Sequence, residues 1–128
     1  MVPWRLVGAS QVVLALAHVV IWRAFGWTKE LKAVSPLTAR VFALHTFFIT
    51  FVLAALGSLE LFRPDLLVGE LAHLLLVAAA IFWTLRLVAQ PFLFDPVLLV
   101  GSPWRTPLRI CATGLFATYA AIHVYACM

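Results

Sequence analysis

Four long apolar runs, each close to the length that crosses a bilayer, constrain this chain more than any other feature. They cover about residues 6–25, 41–61, 66–88 and 108–125, and each is bounded by a charge, a proline or the chain end. A spanning helix needs about 20 predominantly apolar residues. Lipid offers no partner to a backbone N–H or C=O, so only helices and closed barrels cross it. The runs lack the period-two alternation of barrel strands, which leaves helices. The expected fold is all-α: one integral membrane domain over residues 1–128, an antiparallel up-down bundle of four transmembrane helices.

Composition supports a lipid environment. The chain is 65% hydrophobic and 11% charged, against about 45–50% and about 25% in soluble domains. A soluble fold would have too little polar surface to cover such a core. The net charge is +4, from nine Lys and Arg against five Asp and Glu. These cations lie between the apolar runs, where they set topology and meet anionic headgroups. The lipid bilayer is therefore the expected partner, and nucleic acid is not.

The first run is too long for the apolar region of a signal peptide. Bulky Trp22, Arg23, Phe25 and Trp27 follow where small cleavage-site residues would stand, so a retained span is expected. The first and third connections carry Arg23, Lys29, Lys32, Arg40, Arg86, Arg105 and Arg109, and the opposite side only Arg5 and Arg63. This bias places the first and third connections in the cytoplasm and both termini outside. The second connection, Phe62-Arg63-Pro64-Asp65, is short enough to force a hairpin. The third, about residues 90–105, is apolar but too short to span, and is expected to lie in the interface or dock on a partner. Cys111 and Cys127, on one helix, would stand roughly 24 Å apart, too far for a disulfide.

Each span carries one histidine: His18, His45, His73 and His123. Ionisable residues inside a membrane are rare and read as functional. His18 lies five residues before Arg23 and His45 five after Arg40, which puts both near the inner face. His73 and His123 lie toward the outer face. Two neutral imidazoles at one depth on different helices can ligate a haem iron axially. The expectation is up to two b-type haems, the inner one on His18 and His45 and the outer one on His73 and His123. Room for the macrocycles would come from Ala78-Ala79-Ala80 and Ala112-Thr113-Gly114 at the inner level, and Gly8-Ala9-Ser10, Ala54-Ala55 and Gly57-Ser58 at the outer. Such small residues also serve helix packing in lipid. An intramembrane histidine can equally be a hydrogen-bonding group, with no cofactor bound.

A second metal reading uses Glu70 and His73, which share a helix face at i, i+3. With Glu60 and His123 they would make an outer His/Glu site for Fe, Zn, Mn or Cu. Glu-x-x-His is the spacing that di-iron bundles use twice, whereas here it occurs once, and both glutamates can be solvated residues at span ends. Tyr119 lies one turn before His123 and can hydrogen-bond it or serve redox chemistry. Arg86, Gln90 and Asp95 flank the inner end of the third span, where Arg86 can reach headgroups by snorkelling or pair with Asp95. No phosphate-binding glycine loop, no Ser–His–Asp order and no Cys-x-x-Cys is present.

The segments Trp22-Arg23-Ala24-Phe25-Gly26-Trp27-Thr28-Lys29-Glu30-Leu31, Thr38-Ala39-Arg40-Val41-Phe42 and Phe82 to Gln90 resemble small, uncharacterised four-span bacterial integral membrane proteins. The resemblance implies a bacterial inner-membrane location and carries no activity. The architecture is also similar to that of four-helix b-type cytochromes, an analogy of fold alone. The expected function is membrane electron transfer through haem, with quinone as a candidate partner. The alternative is an accessory subunit of a larger membrane complex, or a homo-oligomer, docking through lipid-facing helices.

Overall fold

A computed structural model describes residues 2–94, 101 and 103–128. Among them the regular structure is helical. Four helices are long and apolar enough to cross a membrane: α1 (Trp4–Ala24), α3 (Pro36–Phe62), α4 (Glu70–Ala89) and α5 (Arg105–Cys127), with a short α2 (Trp27–Glu30) after α1. The chain divides into two compact units, Pro3–Leu66 and Leu67–Met128. The apolar third connection falls largely on residues 95–100 and 102, outside the described residues, as does Asp95 with its expected pairing.

The helices begin where capping chemistry starts them, which differs from where apolarity starts. α3 begins at Pro36, five residues before the expected run. The Ser35 side chain accepts the Thr38 N–H at 3.2 Å, and Pro36 takes the first helical position, where its missing N–H is no loss. α4 begins later than expected, at Glu70. Residues Pro64–Leu66 form a 3-10 turn, and Gly69 sits at φ 91, a backbone state that side chains with a Cβ avoid. At its other end α4 runs into a π-helical stretch, Gln90–Phe94.

In the first unit the start of α1 lies against the end of α3. Gly8 and Gly57 bring the two backbones together: a Cβ on Gly8 would collide with Leu61 N and Gly57 O, and one on Gly57 would stand 2.9 Å from Gly8 O and from Gln11 Cβ. Close approach of backbones through small residues is how helices associate in lipid. The space that sequence reasoning reserved here for a macrocycle is filled, at Gly8 and Gly57, by the partner helix. At the opposite end of α1, Trp22 and Trp27 pack on Phe42 of α3 with ring centroids 5.9 and 5.1 Å apart.

In the second unit α4 presents a buried stripe of Ala72, Leu76, Ala79, Ala80 and Trp83, and α5 one of Phe116, Tyr119, Ala120 and His123. Both stripes recur at three- and four-residue intervals, one helix face each. Trp83 stacks on Phe116 at 5.8 Å and meets Tyr119 at 4.4 Å. The outward faces of all four long helices carry exposed large apolar side chains, including Leu16, Phe48, Leu85 and Ile110. That is the surface a lipid-facing helix requires.

Candidate functional site

The largest fully buried side chains are Trp83, Tyr119, His123, Gln11, Gln90 and Glu60. All six carry polar atoms.

In the first unit, Gln11 and Glu60 are both 0% exposed. Gln11 Nε2 donates to Glu60 Oε2 at 2.9 Å, one turn from the Gly8–Gly57 crossing. Gln11 Oε1 is buried without a hydrogen-bond partner. A carboxyl within a span is costly unless bonded, and this bond crosses from one helix to the next. Sequence reasoning gave Glu60 a metal-ligand role. Glu60 belongs to the first unit, whereas Glu70, His73 and His123 belong to the second. Among the described residues no three His, Cys, Asp or Glu side chains gather closely enough to hold a metal ion.

His18 and His45 share a depth but not a face. His18 is half-buried, and its Nδ1 lies 2.8 Å from Leu14 O. A carbonyl oxygen only accepts, so Nδ1 carries the proton and Nε2 presents a lone pair. His18 lines a groove of about 490 Å³ between α1 and α3, with Trp22, Arg23, Thr28, Thr46 and Thr50. His45 is exposed and lines a different groove with Leu37, Thr38, Val41 and Phe42. Around α3 it stands roughly 150° from the residues that wall the His18 groove. The structure thus sets the two inner histidines on separate surfaces of one unit.

In the second unit Glu70 and His73 line one open groove with Gly69 and Leu74, and His73 is exposed. His123 is 0% exposed. Its Nδ1 lies 2.7 Å from Tyr119 O, so again Nδ1 donates and the ring is fixed with Nε2 as the basic nitrogen. Tyr119 and Trp83, each 1% exposed, lie in the same helix pair, with phenol and indole in ring contact and the imidazole bonded to the Tyr119 backbone. Trp83 Nε1 is buried with no hydrogen-bond acceptor. Arg86 lies 4.3 Å over the Phe116 ring and donates to Gln90 Oε1 at 2.8 Å, a cation–π contact and a helical i, i+4 bond. Cys111 and Cys127 are both free thiols.

Sequence reasoning singled out His123 and Tyr119. It missed Trp83 and the Gln11–Glu60 bond. The available signal for the latter was two polar side chains at matching depth on successive spans.

One charged pair lies in the connection between the units. Arg63 donates to both Asp65 oxygens, the shortest contact being 2.9 Å. The hydrogen bond from Arg63 holds the exposed Asp65 carboxyl below the ordinary aspartate value. Comparison with family models, curated proteins and solved structures gives no match to this chain.

Proposed function

We propose that the chain is a bacterial inner-membrane electron-transfer protein, and that its redox centre lies in the α4–α5 unit. The four spans would run up and down as one bundle with both termini outside, following the bias of the cations. The observation that supports the redox reading is the buried group of His123, Tyr119 and Trp83. A ring nitrogen bonded to a backbone carbonyl orients the imidazole and raises the basicity of the other nitrogen, as metal-bound histidines require. Tyrosine and tryptophan are the two most readily oxidised aromatic side chains, and here they stand in ring contact beside that imidazole.

The cofactor proposed is a single b-type haem, which His123 would hold. His73, on the preceding helix of the same unit, is exposed in an open groove that His123 does not line, so it is not assigned as a second ligand. His18 and His45 line different grooves, so no second haem is assigned to them. When bound, the haem supplies a one-electron couple within the bilayer, and a quinol in the membrane is the proposed electron source. The residues of the chain hold the ring, exclude water from it and carry the aromatic contact leading from it.

The test is a reduced-minus-oxidised absorbance spectrum of the protein purified after expression with haem supply, together with its iron content. A sharp α-band with about one iron per chain is expected, and it should disappear in His123→Ala while His45→Ala retains it. A colourless, iron-free preparation would overturn the reading and leave the accessory-subunit alternative.

A further inference from the structure

The α1–α3 unit carries a different feature, which does not depend on any redox centre. Its first connection concentrates unneutralised positive charge on an aromatic platform. From residue 23 to residue 40 the chain carries Arg23, Lys29, Lys32 and Arg40 against Glu30 alone, a net charge of +3 (four cations minus one anion). Among the described residues none of these four cations forms an ion pair with a carboxylate. Trp22, Phe25, Trp27 and Phe42 pack together beneath them, with centroids 5.1 to 6.0 Å apart. Tryptophan clusters of this kind settle at the level of lipid headgroups.

The His18 groove opens into this region. α1 and α3 are pinned together at Gly8 and Gly57, and the groove lies nearer their other ends. Arg23 and Thr28 line its end near the connection, and Val19 and Phe47, both exposed, line it along the helices. Thr28 Oγ1 accepts the Trp22 indole N–H at 3.0 Å, which leaves the threonine's own O–H to donate outward. Thr46 and Thr50 turn their hydroxyls back to the carbonyls of Phe42 and Thr46, which leaves the His18 imidazole as the polar group on that stretch of the wall. The groove therefore offers a guanidinium and a hydroxyl donor at one end and, alongside the helices, a largely apolar stretch interrupted by the His18 imidazole. Its occupant must be anionic at one end and apolar along its length.

We propose that this groove binds one anionic phospholipid, with its phosphate on Arg23 and Thr28 and an acyl chain between Val19 and Phe47. Lys29, Lys32 and Arg40 add a diffuse attraction to the same leaflet. A free soluble anion shares the headgroup chemistry but makes no use of the apolar stretch.

The protein is reconstituted into vesicles of equimolar phosphatidylglycerol and phosphatidylcholine and solubilised in mild detergent. The intact masses of its one-lipid adducts are then measured. About fivefold enrichment of phosphatidylglycerol is expected, the effect of about one well-placed surface cation. Arg23→Gln with Thr28→Val should bring the ratio close to one, with the helical circular dichroism unchanged. Equal adducts in the unmodified protein overturn the proposal. So does an enrichment that survives Arg23→Gln/Thr28→Val but vanishes in Lys29→Gln/Lys32→Gln/Arg40→Gln, since diffuse charge would then suffice. Displacement of the bound lipid by millimolar glycerol phosphate would assign the site to a soluble anion and overturn it equally. None of these readouts depends on haem, so a colourless protein that still selects phosphatidylglycerol leaves this proposal standing.

Discussion

Replacing Gly8 by alanine tests the packing of the first unit in a way that sequence alone would not suggest. In a helix interior, Gly→Ala ordinarily stabilises by about 0.5–1 kcal/mol, because glycine loses more backbone freedom on folding. At Gly8 the added methyl would meet Leu61 N, Gly57 O at 2.5 Å and Glu60 C at 2.9 Å. All three are backbone atoms, which cannot rotate aside as a side chain would. Relief to ordinary contact near 3.5 Å needs about 1 Å of helix separation. That displacement stretches the 2.9 Å Gln11–Glu60 bond beyond hydrogen-bonding range. Overpacking costs about 1–3 kcal/mol, and an interhelical hydrogen bond in a membrane contributes on average about 0.6 kcal/mol. After the propensity gain is subtracted, Gly8→Ala should destabilise by about 1–3 kcal/mol. Gly114 is the control, since a Cβ there meets nothing within 4 Å; Gly114→Ala should stabilise by about 0.5–1 kcal/mol. Both are read from equilibrium unfolding in mixed micelles of rising dodecyl sulfate content, followed by circular dichroism. If Gly8→Ala proves no less stable than Gly114→Ala, the close helix crossing is wrong.

The buried amide and the exposed carboxylate make two further expectations. Gln11→Leu removes the donor to Glu60 and should destabilise by about 1–2 kcal/mol; a variant as stable as the unmodified protein in the same micelle titration would dismiss the bond. At Asp65 the folded-state pKa lies below the ordinary value of 3.8, so the Arg63 pair contributes fully above that value and fades as pH falls through the lowered one. The carboxyl chemical shift of Asp65 should accordingly titrate at lower pH than in Arg63→Gln, and coincident curves would dismiss the pairing.

The sequence shows how many spans there are because apolarity over about 20 residues is a bulk property. It shows their ends less well because ends are local chemistry. Ser35 and Pro36 start α3 ahead of its apolar run, and the turn at Pro64 with the left-handed Gly69 delays α4. Distance along a helix is also legible, since each residue advances about 1.5 Å. Rotation about the axis is not. In a soluble helix the apolar stripe marks the inward face, but α3 is apolar all round, with Val41, Leu44, Phe47, Phe48 and Phe51 all exposed. No pattern in such a helix says which way His45 points, and the structure sets it on a groove apart from His18.

Small residues carry the same ambiguity, and only the neighbours of a missing Cβ resolve it. A glycine that makes room for a ligand should face open space or movable side chains. Gly8 and Gly57 face each other's backbones instead, so their smallness is spent on contact. That contact also explains why a glutamate can be fully buried at residue 60. The close crossing brings Gln11 within reach of the carboxylate, and bonding in turn lowers the penalty of keeping a polar group inside the seam. Helices held together at one end are free to leave a groove nearer the other, and there the chain places Arg23 and Thr28. The same pair of glycines therefore underlies both the buried polar bond and the opening proposed for lipid. Separation of α1 from α3 by a bulky substitution at Gly57 should disturb the two together.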